Sequence, residues 1–329
     1  MTAATYKDAP PRLECGTRQS LIVVAVLTYQ RPKLLGRLLD EFSRSNLPVR
    51  FGTVLLVIDN DGAGSGQPIV DAWRTQIPNL RYLVETRRGI PVARNRAIDA
   101  AEELGADALC FLDDDEFPDK DWLVRIVEHW QDTGADLIGG PVFVAPTEVG
   151  KSPWQRAINR SLAARATKKN RDIVSDVEHG KRYTIVTNNW LCDLNWLKRV
   201  GLRFDERRLV SGGSDTVFFH AAQGLGCATS WCPRAMVYET MTDDRLSLRY
   251  HFARASSQSI NHFQMKGQHI TGTVVVQIVL CAAVRAVLGL GLLVIPIFGI
   301  ASPLIAVRSL GWAVGRLRAL QGKQSTLYA

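Results

Sequence analysis

The chain has 329 residues, 46% hydrophobic and 22% charged, a globular composition that excludes disordered, collagen-like and coiled-coil classes. At roughly 150 residues per domain, this length suits two domains, or one large domain with an appendage. Forty Lys and Arg against 32 Asp and Glu leave a formal charge of +8, which suits an anionic partner such as a nucleotide or a lipid headgroup.

The first half alternates strand and helix patterns. LIVVAVLT (21–28) is a continuous β-branched run, as in a strand buried on both faces. Pro32 then opens a helix carrying Leu34, Leu35, Leu38, Leu39 and Phe42 at helical spacing. VLLVIDND (54–61) reads as strand, and Ile69, Val70, Trp73 and Ile77 as one helix face. RYLVET (81–86), a helix over 91–104, the strand ALCFLDDD (108–115), the helix DWLVRIVEHWQ and the strand ADLIGGPVFV follow. Such alternation predicts βαβ units and a mainly parallel sheet, with ligands at the carboxyl ends of its strands. Thr28–Arg31, Asp59–Asp61 and Asp113–Asp115 all fall at such ends.

Beyond residue 150 the alternation breaks. A basic helical stretch (151–182) leads to YTIVTNNWLCD and to GLRFDERRLVSGGSD. A helix with Val217, Phe218, Ala221 and Ala222 inward comes next, then a strand near 228–238 and an amphipathic helix over 245–265 bearing Leu248, Phe252 and Ile260. The expected divisions are a tail at 1–19, a first half at 20–150, a second half at 151–265, and an apolar helical tail at 266–329. In that tail, Arg285 separates two uncharged runs, and Pro296 and Pro303 should break a straight helix. Stretches of about 20 apolar residues suit a membrane, and basic flanks place the tail at a cytoplasmic face. Six scattered cysteines without a C-x-x-C fit reduced cytoplasmic thiols. Residues 1–20 are polar, and the run at 21–28 is too short for a secretory signal.

In an extended chain, Asp113 and Asp115 point one way and Asp114 the other. Two carboxylates on one side repel unless a hard cation, Mg²⁺ or Mn²⁺, lies between them with a diphosphate completing its shell. A solvated acidic turn with Asp119 and Asp121 is the structural alternative. GAGSG (62–66) is neither a dinucleotide fingerprint nor a Walker loop and reads as a flexible turn. Arg94 and Asn95 either hold phosphate or ribose oxygens or belong to a solvated helix face. Glu239 ends a strand and could approach a metal. Tyr250 and Arg254, one helical turn apart, either meet a diphosphate or face solvent.

Taken together, LTYQRP, VIDND, RGIPVARNRAID, FLDDDE and SGGSDTVFF occur in an order that resembles the family-2 glycosyltransferases of the GT-A fold, over roughly residues 20–255. The chain looks most like those that build succinoglycan-type exopolysaccharide. The resemblance implies an α/β sheet flanked by helices and an inverting, metal-dependent hexosyl transfer. The donor would be a nucleotide-sugar, a UDP-hexose, and the acceptor a polyprenyl-diphosphate-linked saccharide at the cytoplasmic face of the inner membrane. It places Thr28, Tyr29, Arg31, Asp59, Arg94, Asp113 and Asp114 on the donor side, with Asp113 and Asp115 on the metal. Asp215 would be the general base, and Asn188, Asn189 and Ser214 would face the acceptor. Ser214 stands where Glu is usual in that family. The Q-x-x-R-W pattern of processive members is absent, which implies one sugar per binding event. Asp215 should lie in the first turn of a helix, with Ser214 as its N-cap and the helix dipole keeping it ionised. A sugar nucleotidyltransferase and a non-catalytic basic membrane scaffold are the alternatives; a nucleic-acid partner is not expected.

Overall fold

The computed structural model describes residues 20–146, 151–181, 183–208, 213–265, 271–294 and 301–323. The expectations for the tail at 1–19, for Ser211 and Gly212 and for Pro296 lie outside the described residues.

Alternation in the sequence becomes alternation in space. The first half runs β1 (Leu21–Thr28), α1 (Pro32–Ser43), β2 (Gly52–Asp59), α2 (Gln67–Trp73), β3 (Leu80–Val84), α3 (Ile90–Glu103) and β4 (Ala108–Asp113). Successive residues of β1 face opposite sides of the sheet. Ile22, Val24 and Val26 pack with Leu35, Leu38 and Leu39 of α1, whereas Val23 and Ala25 pack with Ala93, Ala97 and Ile98 of α3. Both faces are apolar and buried, which is why the strand reads as an unbroken β-branched run.

The chain continues through β5 (Glu116–Pro118), α4 (Trp122–Thr133), β6 (Leu137–Gly139), β7 (Val142–Val144), the basic helix α5 (Pro153–Glu178), β8 (Trp190–Asp193), α6 (Leu194–Val200), α7 (Ser214–Gly224), β9 (Thr229–Trp231) and β10 (Val237–Glu239). The main sheet has the order β3-β2-β1-β4-β8-β6-β9. It is mixed, because β8 runs antiparallel to both β4 and β6 while the other neighbours are parallel.

Strand register brings the polar ends together. Thr28 lies opposite Asp59, and Leu27 opposite Asp113, so the ends of β1, β2 and β4 form one row. A second sheet, β5-β10-β7, sets Glu116 directly opposite Glu239. The strand expected over ADLIGGPVFV is instead two strands in different sheets. A Cβ at Gly140 would lie 2.6 Å from both the Ala235 carbonyl and Asn189 Nδ2, so the chain needs glycine to cross there. In α7 the inward residues are Ser214, Phe218, Phe219 and Ala222; Ala221, expected inside, is exposed.

Three C-terminal helices complete the chain: α8 (Leu248–Met265), α9 (Gly272–Val294) and α10 (Ala301–Leu320). Arg285 does not interrupt α9, because its guanidinium sits 4.1 Å above the Trp312 ring of α10. Pro303 falls in the first turn of α10, where a missing N–H costs little. Large side chains of α9 point outward, with Val287 69% and Leu280 60% exposed. Among the described residues, α9 is the one helix long and apolar enough to cross a membrane.

Helix α10 docks on α8 through Gly311 and Gly315, spaced so that the two backbones approach closely. A Cβ at Gly315 would lie 2.2 Å from the Ser256 carbonyl. Gly315→Ala should therefore destabilise the protein by about 1–3 kcal/mol, read as a lowered midpoint in thermal unfolding. Gly224→Ala, whose Cβ would meet nothing within 4 Å, is the control; equal midpoints for the two variants would contradict the close packing.

Candidate active site

The extended chain of β4 stops at Asp113, and Asp114 and Asp115 form a turn before β5. Asp114 faces inward. It accepts hydrogen bonds from Thr28 Oγ1 (2.9 Å) and Arg31 Nη1 (3.0 Å). Burial pushes its carboxyl up to about 7 against the opposing pull of Arg31. Asp114 thus ties the β1–α1 connection to β4. That connection contains Gln30, a non-glycine residue at φ 52°, and Tyr29, whose ring lies 4.7 Å below the Arg88 guanidinium.

Asp115 is gripped from another part of the chain. Arg245 Nη2 lies 2.7 Å from Asp115 Oδ2, and Arg245 Nη1 donates to Glu239 Oε1 at 2.7 Å. Arg31 Nη1 stands 3.4 Å from the same Asp115 oxygen. Asp113, half-buried, has its carboxyl pushed up by burial and by repulsion from Asp115 and Asp215, against Arg94 and Arg245. Glu239 is raised by burial and by Asp115. Glu116 is raised further, by burial and then by Asp113 and Asp115; it accepts from the Asp113 amide (2.9 Å) and from Asn188 Nδ2 (2.8 Å).

Asp113 therefore feels the charge of both Asp115 and Asp215, and carboxylates of this kind are hard oxygen donors that fit Mg²⁺ or Mn²⁺. Among the described residues no three His, Cys, Asp or Glu side chains form a ready-made ligand group. A cation held by Asp113 and Asp115 would thus draw its remaining ligands from a bound molecule.

Gly213, at φ 80°, occupies the N-cap of α7, and no side chain caps the helix. This corrects the expectation for Ser214, which is the first helical residue and accepts a hydrogen bond from Arg94 Nη1 at 2.9 Å. Arg94 also stacks over the Phe204 ring at 5.3 Å, and Asn95 bonds both the amide and the carbonyl of Phe204. Asp215 sits in the first turn as expected, its Oδ1 2.8 Å from the Thr216 amide.

Asp59 is fully buried and accepts from the Asp61 amide (3.0 Å), the Gly66 amide (2.6 Å) and Tyr82 Oη (2.7 Å). The GAGSG turn is consequently pinned, not flexible. Asn189 is also given to the scaffold. Its Nδ2 donates to the Pro141 and Ala235 carbonyls and its Oδ1 accepts from Trp122 Nε1, so both polar atoms of its side chain are engaged. The helix expected from 245 begins only at Leu248, which leaves Arg245 in the polar loop before it, and no sequence pattern marks its reach to the acids.

Residues 23–201 match the family described as Glycosyl transferase family 2. The chain is 30% identical over 256 residues to the succinoglycan biosynthesis protein ExoM of Rhizobium meliloti (strain 1021), covering 76% of this chain and 77% of that protein. Among solved structures, the fold is similar to S. aureus TarS residues 1–349 in complex with UDP, with TM-score 0.51 and 16% identity over 92% of each chain. It is also similar to the mannosyltransferase PcManGT from Pyrobaculum calidifontis in complex with GDP-Man and Mn²⁺, with TM-score 0.53 and 16% identity, covering 92% of this chain and 74% of that one.

Arg245, with its side chain only 12% exposed, holds two carboxylates that repel each other. Arg245→Ala should lower stability by about 3 kcal/mol, the scale of breaking a buried pair. The measurement is the midpoint of urea unfolding; an unchanged midpoint would contradict the role given to this arginine.

Proposed function

The chain belongs to glycosyl transferase family 2, and from that premise we propose that it is an inverting, metal-dependent enzyme moving one hexose per encounter. The donor is a nucleotide-sugar, a UDP-hexose, and the acceptor a polyprenyl-diphosphate-linked saccharide of exopolysaccharide synthesis. One observation carries this reading: strand register aligns Thr28, Asp59 and Asp113 in one row, and Asp113 at its end lies close enough to Asp115 and Asp215 to feel their charge.

Asp113 and Asp115 are the residues that would hold Mn²⁺ or Mg²⁺, which when bound neutralises charge on the departing diphosphate. Tyr29 stands at the nucleoside end, where Asp59 holds the turn through Asp61, Gly66 and Tyr82 and Asp114 keeps Thr28 and Arg31 in place. Arg94, fixed by Ser214 and Phe204, supplies a positioned cation on the donor side. Asp215 lies in the first turn of α7, at the positive end of the helix dipole. Its carboxylate takes the proton of an acceptor hydroxyl as that oxygen attacks the anomeric carbon, and attack from the face opposite the leaving group inverts the configuration. Asn188 stands on the acceptor side.

The outward apolar face of α9 supports placement at a membrane, on the cytoplasmic side, where nucleotide-sugars are made. Kinship with a succinoglycan biosynthesis protein supports the exopolysaccharide setting.

Asp215→Asn should leave Mn²⁺-dependent UDP binding within about twofold and lower turnover by about a thousandfold, the scale of lost general-base catalysis. Turnover close to that of the unaltered enzyme would place the base elsewhere. Leu280→Arg with Val287→Arg should move the protein from the membrane to the soluble fraction, since each charge at a helix centre costs about 3 kcal/mol in a bilayer. A double variant that still sediments with membranes would remove α9 as the anchor.

A further inference from the structure

A cleft of about 200 Å³ opens between α5 and the segments around β7 and β9, with Phe143, Thr167, Asn170, Arg171, Val174 and Trp231 in its lining. Two buried asparagines of α5 fix the helix along the open edge of β7. Asn159 Nδ2 donates to the Ala145 carbonyl at 3.2 Å, and Asn170 Nδ2 to the Val142 carbonyl at 3.1 Å. The cleft is smaller than the roughly 300 Å³ at which drug-sized ligands are held, a size for a single ring. Its walls are mainly apolar, and two polar groups stand out. Trp231 is 8% exposed, and its indole Nε1 is buried with no hydrogen-bond partner among the described residues; a buried tryptophan N–H ordinarily finds one. Arg171 is exposed and pairs with no carboxylate among the described residues.

Strand register sets this cleft on the acidic edge of the main sheet. Phe111 of β4 lies opposite Trp190 of β8, Trp190 opposite Gly139 of β6, and Gly139 opposite Trp231 of β9. Because β8 is antiparallel to β4 and to β6, the strands β4, β6 and β9 run the same way. Trp231 therefore ends its strand on the side where β4 ends in Asp113, three strand spacings or about 14 Å along the row. The cleft also lies on the α7 side of the sheet. Trp231 and Ile173 of α5 share a buried cluster with Trp190 and with Phe218 of α7, and the rings of Trp190 and Phe218 are 5.2 Å apart. Asp215 stands in the first turn of that same helix. Phe143, in the opposite wall, precedes Val144, which pairs with Glu239, and Glu239 shares Arg245 with Asp115.

Resting on the transferase reading, we infer that this cleft is a subsite for a sugar ring of the acceptor saccharide, remote from the hydroxyl that reacts at Asp215. A sugar ring matches both kinds of surface in the cleft. Its C–H faces suit the walls of Phe143 and Trp231, and its oxygens accept from the indole N–H and from the Arg171 guanidinium. No single hexose spans the row from the end of β4 to Trp231, so an acceptor seated at both is an oligosaccharide. The subsite thus selects acceptors by length. A lipid-linked saccharide that already carries several sugars fills it, and one that carries a single sugar does not, which places this transfer after the reactions that begin the chain.

The test is calorimetric titration of the full-length protein with tetrasaccharides of glucose and of galactose, α- and β-linked, and with the two monosaccharides. One of these tetrasaccharides should bind about tenfold more tightly than its monosaccharide. Arg171→Ala should weaken that binding about tenfold, the scale of a hydrogen bond from a charged donor, and Trp231→Phe about fivefold, the scale of a neutral one. Thermal midpoints and UDP–Mn²⁺ binding are read on the same proteins. Both should stay unchanged in Arg171→Ala, whose side chain is exposed, so this variant decides the matter even if Trp231→Phe fails to fold. An unaltered protein that binds UDP but none of the tetrasaccharides overturns the subsite alone, as does tetrasaccharide binding that survives Arg171→Ala at full strength. If Arg171→Ala instead loses binding to vesicles containing a polyprenol and keeps the saccharide, the cleft holds the lipid chain and the proposal falls. A protein that binds no UDP overturns the transferase reading, and the acceptor subsite with it.

Discussion

Repulsion among carboxylates buried beyond the end of β4 is held in check by arginines from separate parts of the chain. Arg31 follows β1 and Arg245 arrives from the loop before α8, each ion-paired to the carboxylates it faces, while Arg94 in α3 adds its charge near Asp113. Because the acids lie among buried groups, they cannot rely on water to screen one another. The protein retains them nonetheless, with Asp113, Asp114, Glu116 and Glu239 raised above their ordinary range. Such a cluster costs folding stability.

The row itself was legible in the sequence because strands buried on both faces leave an unbroken apolar signature that stops where the polar end begins. Thr28, Asp59 and Asp113 could be placed at strand ends from that signature alone, and the β1–β2 and β1–β4 registers align them. What the sequence concealed were contacts with no local pattern. Arg245 reaches Asp115 across 130 positions of chain. The antiparallel insertion of β8, and the crossing at Gly140, depend on partners far away in sequence. Asn189 resembles a ligand-facing amide until its three hydrogen bonds to Trp122, Pro141 and Ala235 are seen. Ser214 looked like a cap because serine favours that position; Gly213 takes it by adopting a positive φ, which frees the serine hydroxyl for Arg94.

The C-terminal helices are part of the catalytic body as well as an appendage. α10 meets α8 through glycines whose absent side chains bring the backbones together, and it also meets α5, where Leu304 packs with Ile158 and Leu162. A helix suited to a membrane by length and composition is therefore joined by packing to the rest of the fold.

The most direct test of a metal-assisted donor site is calorimetric titration of the full-length protein with UDP, GDP and TDP, each with and without Mn²⁺, alongside Asp115→Ala. Binding that requires Mn²⁺, prefers UDP and disappears in Asp115→Ala is the predicted result. Nucleotide binding that ignores the metal and survives loss of Asp115, or no binding to any of the three, would contradict the assignment of the acidic end of β4 to that role.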